Sequence, residues 1–490
     1  MPITLANVRH LDLVTGEASS PTDLHIVDGH LARAPHPDAT IIDGRGGIVM
    51  PGLWDAHVHI VQWAMTSRWV DVSPAGSPAE AAQLMAEADQ TSDTVLVGFG
   101  FRDSRWATAP QASDLDAVIT ERPVVLLSAD VHSAWLNTAA LHHFGLDIAV
   151  HDNGLLREHH AFVLQTRLVD QPSAVIDGWV AQACRAAAAL GVVGFVDLTM
   201  DENITSWQRR FSHGFDTLRV RAGVYPQHLE SVATRGLRGG QVLDDHGLLT
   251  LGPLKVITDG SLTARTAWCH HPYAITGIGD PAPGFEYGTC NVPLDDLVAL
   301  MMRANALGME CAVHAIGDRA VAQALAAFAE TEARGSIEHA QLVDPADMPR
   351  MAALGVRASV QPAHVLDDWQ AIDTLWPGQA RNAYPFVGLA SSGVELALGS
   401  DAPVAPLNPW LAIESAVRRS SGTHESWHPE QALTLSQALR ASTRGVHQLV
   451  VGAPADLLVL PVNPFELADD QVHALRPNLT MVAGRITHQR

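Results

Sequence analysis

The sequence predicts an α/β fold: a (β/α)8 TIM-type barrel with a small composite β-sandwich domain built from both termini. Three observations predict it. The long middle of the chain alternates short apolar runs with Ala- and Leu-rich stretches, the pattern of strands and helices around a parallel sheet. Eight of those runs read as strands, and most end in polar residues. Strand-like segments without intervening helical stretches recur at both ends of the chain.

In chain order, residues 1–52 hold short apolar runs broken by turn residues. Examples are Ile3 to Val8, Leu24 to Val27, and Ile48-Val49-Met50 between Gly46-Gly47 and Pro51-Gly52. Residues 447–490 behave alike, with runs at Ala455 to Leu460 and Leu479 to Ile486, so the two ends are expected to meet in one β domain. Residues 53–446 form the barrel. Its strands are expected at Leu53–His59, Gly194–Asp197, Arg219–Val224, Leu254–Asp259, Glu310–His314, Ser336–His339, Arg357–Gln361 and Glu395–Asp401. Helices are expected between them, as at Asp295–Leu307 and Ala320–Ala333. A long insert at about 60–190 separates the first two strands and has strand-like runs at Thr94–Phe99 and Val124–Ser128. Long insertions of this kind usually build over an active-site mouth, which in a barrel lies at the strands' C-terminal ends.

Composition bounds the function. The 490 residues carry 31 basic and 53 acidic side chains, a formal net charge of -22, which argues against a nucleic-acid partner or a basic membrane anchor. The start, Met1-Pro2-Ile3-Thr4-Leu5, lacks a basic segment followed by an apolar signal core, and no apolar run is long enough to span a bilayer. The four cysteines, Cys184, Cys269, Cys290 and Cys311, are widely spaced and form no CxxC pair. A cytoplasmic protein is expected.

The sharpest local signal is Asp55-Ala56-His57-Val58-His59 at the end of the first strand. Residues two apart on a strand share a face, so His57 and His59 can reach one ion. Imidazole nitrogens suit zinc and related divalent metals. His314 and His339 end the fifth and sixth strands, and Asp401 ends the eighth. A lone buried histidine is usually a satisfied core residue. Four strand-end histidines with a strand-end carboxylate are hard to reconcile with core packing.

The segments Pro51-Gly52-Leu53-Trp54-Asp55-Ala56-His57-Val58-His59, His314-Ala315-Ile316-Gly317-Asp318-Arg319-Ala320, Ile337-Glu338-His339-Ala340-Gln341 and Gly399-Ser400-Asp401-Ala402-Pro403 together resemble the amidohydrolase superfamily. Lys255-Val256-Ile257-Thr258-Asp259-Gly260-Ser261-Leu262 and the early insert resemble its family 3, YtcJ-like branch, which includes N-substituted formamide deformylases. The resemblance implies a metal-dependent hydrolase acting on carbon–nitrogen bonds other than peptide bonds. It implies one or two divalent ions, zinc first among them. His57 and His59 would bind the more buried ion, His314 and His339 a second position, and Asp401 would bind metal and shuttle the proton. Lys255 matches a lysine that relatives carboxylate to bridge two metals; the alternative is a plain lysine paired with Asp259 or another acid.

The same resemblance makes Glu158, in Gly154-Leu155-Leu156-Arg157-Glu158, a runner-up carboxylate. It also marks His132 and Trp135 as candidate substrate contacts. Asp259 shares a face with Lys255, which makes it a candidate to support the ligands from behind, and it is also a candidate substrate contact. Glu338, next to His339 on a strand, should point away from it and reads as structural. Asp318 and Arg319 read as holding a loop.

The reaction expected is hydrolysis of an amide, N-acyl or N-formyl bond by a metal-activated water, with His314 or His339 steadying the oxyanion. The alternative is a mononuclear deaminase of a heterocyclic substrate. Such deaminases place a glutamate three residues after the fifth-strand histidine, where this chain has Gly317. A non-catalytic scaffold would be marked by a lost ligand, and none of the core set is lost. The partner expected is a small molecule, bulky and apolar if Trp54, Trp63, Trp69, Trp106, Trp135 and Trp268 line its pocket. Relatives often dimerise, which makes a homodimer an expectation too.

Overall fold

The structure, a computed structural model, describes residues 2–88, 94–103, 106–129, 133–146, 152–157, 159–169, 171–276, 283–420 and 424–490. Its centre is an eight-stranded parallel sheet: Leu53–Val58, Val192–Asp197, Arg219–Val224, Leu249–Ile257, Cys311–Ala315, Gly335–His339, Arg357–Val360 and Leu396–Leu398. Each strand pairs with the next in chain order. A parallel bridge between Val58 and Ala402 closes the sheet into a barrel. The Asp401 amide donates to the His57 carbonyl at 2.8 Å and the His59 amide to the Ala402 carbonyl at 3.0 Å.

These strands are apolar on both faces because helices cover the outside, which is why they read as continuous runs. Helix Asp318–Thr331 buries Ala320, Ala324 and Ala327 beside Val321, Leu325 and Phe328, small residues letting it lie close to the sheet. The fourth strand starts at Leu249, five residues before the expected Leu254. The strand runs through Gly252-Pro253, where a Cβ at Gly252 would meet the Ala222 backbone at 2.7 Å, so the glycine marks close strand contact.

The barrel's N-terminal end is braced by charge. Glu310 accepts from Arg221 at 2.8 Å and from Arg357 at 2.9 Å, joining the third, fifth and seventh strands. Burial alone would raise the Glu310 carboxyl, but the charges of Arg357 and Arg221 prevail and hold it at about 2. Arg444 lies over the Trp54 ring at 4.5 Å, and both line a cavity of about 120 Å³ at this end.

Strands from both termini form one sheet system. Its order is Arg485–Gln489, Leu479–Val482, Leu457–Leu460, Ile48–Pro51, Ile3–His10, Thr22–Val27 and His30–Ala32, with Thr40–Asp43 also on Ile3–His10. The register of Ile3–His10 shifts between Leu5 and Val8, so one strand serves two layers. Leu5, Leu24 and Ile26 from one layer pack with Val49, Leu457, Val459 and Met481 from the other, as in a sandwich.

Residues 61–183 form a second compact unit. It carries a five-stranded sheet in the order Leu155–Arg157, Ser133–Leu136, Val124–Ser128, Leu96–Phe101, Val70–Asp71. Trp135 is fully buried in its core, edge-on to Phe101 and Trp106, and donates its indole N–H to the Gln111 carbonyl at 2.9 Å. The expectation that Trp135 touches substrate is therefore corrected: no part of the ring is left to offer. Trp106 is likewise a core residue, donating to the Ala75 carbonyl at 3.0 Å. Among the described residues no helix is long and apolar enough to cross a membrane.

Candidate metal centre

The strands' C-terminal ends bring five of the expected side chains together. His57 Nε2 lies 3.3 Å and His59 Nε2 3.2 Å from the same oxygen, Asp401 Oδ1. Two ligands on a tetrahedral zinc with bonds of about 2.0–2.1 Å sit roughly 3.3–3.4 Å apart, a spacing these three atoms already match. The His339 ring centroid is 5.1 Å from His57 and 4.4 Å from His314.

Two ligand positions depend on strained backbone. His339 has φ 73°, Ala340 φ 41° and Asp401 φ 55°, left-handed values that β-carbons disfavour. That bend lets His339 reach the mouth although its neighbour Glu338 already faces the barrel interior. Glu338 is not merely structural, as its alternation suggested: its Oε2 accepts from His57 Nδ1 at 2.7 Å, and Ser336 donates to its other oxygen. Donation from Nδ1 leaves the Nε2 lone pair of His57 facing Asp401.

The protonation pattern suits a cation. Burial works to raise Asp401, but His57, His59 and His339 overcome it and hold the carboxyl well below its ordinary range. Burial and the Lys255 charge push His57 down to about 4, and burial with His314 pushes His339 well down, directions that favour the neutral ring a cation needs. Glu338, for all its burial, is held at about 2 by His57, Lys255 and Ser336. Neutral imidazoles around one carboxylate make a donor set for a divalent ion. His59 Nδ1 is buried without a hydrogen-bond partner among the described residues, which leaves that ring held only through Nε2.

Lys255 is 1% exposed, with Nζ 3.3 Å from His57 Nε2. Burial lowers its pKa against the pull of Glu338 and Asp401, and those are the acids it feels rather than Asp259. Asp259 is fully buried and takes amides from Trp268 at 2.9 Å, Ile316 at 3.1 Å and Gly317 at 2.9 Å. It also lies 3.4 Å from His314 Nε2. Asp259 thus fastens the loop after the fourth strand beneath His314. Asp318 accepts from the His270 amide at 2.8 Å, and Arg319 covers Trp268 at 4.4 Å. His132 and Glu158 lie outside the described residues.

One residue of the centre escaped sequence reasoning. His364 ends the 3-10 turn Pro362–His364 after the seventh strand, with Nε2 3.9 Å from Asp401 Oδ2. Its signal, Val360-Gln361-Pro362-Ala363-His364, places it beyond a proline rather than at a strand end.

A closed parallel barrel with histidines and an aspartate converging at its C-terminal mouth defines a metal-dependent hydrolase. The amidohydrolase family profile matches residues 40–488, and the chain belongs to that family. It is 26% identical to YtcJ of Bacillus subtilis (strain 168) over 93% of this chain and 91% of that protein. It is 23% identical to the N-substituted formamide deformylase of Arthrobacter pascens, covering 93% and 91%. A metal-dependent hydrolase structure from Pyrococcus horikoshii superimposes with TM-score 0.80 at 25% identity, covering 96% of this chain and 99% of that one.

Proposed function

We propose that the chain hydrolyses a non-peptide carbon–nitrogen bond in an amide, N-acyl or N-formyl compound. The observation that carries this reading over deamination is Gly317. A β-carbon there would lie 2.1 Å from the Trp268 carbonyl oxygen, so the position that needs a proton-donating glutamate in a deaminase has room for no side chain. The similarity to an N-substituted formamide deformylase points the same way.

A divalent cation, zinc first among candidates, supplies Lewis acidity and lowers the pKa of the water it holds toward ~7. His57, His59 and Asp401 would hold it. Glu338, fixed on His57 Nδ1, keeps Nε2 as the ligand atom. Lys255, whose amine is buried beside His57, would take up carbon dioxide as a carbamate and so exchange an ammonium for a metal-binding anion. His314 or His339 would steady the oxyanion of the tetrahedral intermediate. Asp401 takes the attacking water's proton on a carboxylate oxygen and returns it to the departing nitrogen.

The test is a substrate panel with zinc-reconstituted protein: N-formyl and N-acyl amines against aminated heterocycles. Amine and carboxylate release from the first group is expected; ammonia release from heterocycles alone would replace this reading with the deaminase. Asp401→Asn should cut turnover by ~10²–10⁴-fold with the cation at His57 and His59 retained, measured by steady-state rates and metal analysis. Near-normal turnover at full occupancy would remove Asp401 as the proton carrier.

A further inference from the structure

Asp401 offers its two oxygens in two directions. Oδ1 faces His57 and His59, while Oδ2 faces His364. One ligand atom each from His57, His59 and Asp401 lie within 4.8 Å of one another, and so do one each from His339, His364 and Asp401. We propose that His364 is a ligand of a second cation, held with His339 and Asp401 Oδ2, so that Asp401 bridges two metal positions until Oδ2 is released to take the water's proton. This rests on the reading that a cation sits between His57, His59 and Asp401.

Three observations carry it. His364 Nε2 is buried with no hydrogen-bond partner among the described residues. Buried polar nitrogens normally find one, because leaving them unpaired costs free energy. The carboxylate oxygen facing it, Asp401 Oδ2 at 3.9 Å, is too far for a hydrogen bond. Two bonds of about 2.1 Å to one ion would span 3.9 Å at an angle of roughly 136°, so closing to the tetrahedral spacing of about 3.4 Å asks a shift of about half an ångström on binding.

The backbone that carries the ring is also anchored. His364 occupies the position before helix Val365–Leu375 without a side-chain capping bond, and one turn along Asp368 anchors the helix start, accepting from Tyr384 at 2.6 Å and Gln341 at 3.0 Å. The His339 and His364 rings stack at 24° with centroids 6.3 Å apart, two parallel imidazoles flanking one space. The remaining histidine, His314, has its Nε2 committed elsewhere, 3.3 Å from the Gly260 carbonyl and 3.4 Å from Asp259. It can approach this position only through Nδ1.

The experiment is cobalt titration of the chelator-stripped full chain, followed by visible absorbance and by metal analysis after dialysis. Wild type, His364→Ala and His364→Gln are compared, with apo-form melting temperatures as the folding control. The wild type is expected to take two equivalents. Both variants should keep the first and hold the second at least about tenfold more weakly, with unchanged apo melting. A second equivalent held equally well by either well-folded variant overturns the assignment, as does a wild type that takes one equivalent. A wild type that takes none removes the metal-centre reading itself along with this inference.

Discussion

The residues that would hold the cation were legible because each ends a strand, and strand geometry says where such side chains go. His57 and His59 needed only the two-residue alternation. Glu338 was misjudged for an instructive reason. Alternation turns it away from a mouth-facing His339, yet His339 reaches the mouth through a left-handed φ of 73°, leaving Glu338 inside the barrel against His57. No sequence pattern announces that twist in a non-glycine residue. His364 was missed because it follows a proline past its strand. Glu338→Gln tests the residue-level argument. It keeps the shape but weakens the acceptor for His57 Nδ1, so zinc affinity should fall ~10–100-fold in competition with a chelating dye. Unchanged affinity would return Glu338 to a packing role.

At the scale of elements, the strands were read from apolar runs and the barrel from their number, while boundaries depended on contacts that sequence does not show. The fourth strand runs through Gly252-Pro253 because its neighbour lies against the glycine. Trp135 looked available because tryptophans serve pockets and cores alike, and only packing tells them apart. The Glu310 brace was unreadable, since Arg221, Glu310 and Arg357 meet only once the third, fifth and seventh strands are adjacent. It has a pH consequence. A carboxyl held at about 2 against an ordinary 4.5 contributes stability that is fully present above pH 4.5 and lost as pH falls toward 2. Glu310→Gln should cost about 2 kcal/mol near neutral pH, allowing for partial exposure, and flatten this acid limb. Urea melts between pH 3 and 7 read both effects. A variant with the wild-type pH slope would show that the brace contributes nothing to stability.

For the whole molecule, the two ends were recognisably alike in sequence, but the pairing that joins them was not. Ile48–Pro51 is antiparallel to Leu457–Leu460, and Asp456 accepts from Arg219 at the start of the third barrel strand. A chain ending at residue 446 would leave Ile48–Pro51 with an open edge and Arg219 without its acid. It should aggregate and show no cooperative melt by circular dichroism; a sharp transition near that of the full chain would mean the barrel stands without its C-terminal strands. Barrel closure also fixes when the cation site comes into being. Asp55 and Ser400, hydrogen-bonded side by side in the finished barrel, are 345 positions apart. At roughly 5–20 residues per second, a ribosome needs ~17–70 s to make the chain between them. Throughout that interval the first two histidines wait without the carboxylate they share. The meeting of His57, His59 and Asp401 therefore belongs to chains completed past residue 401.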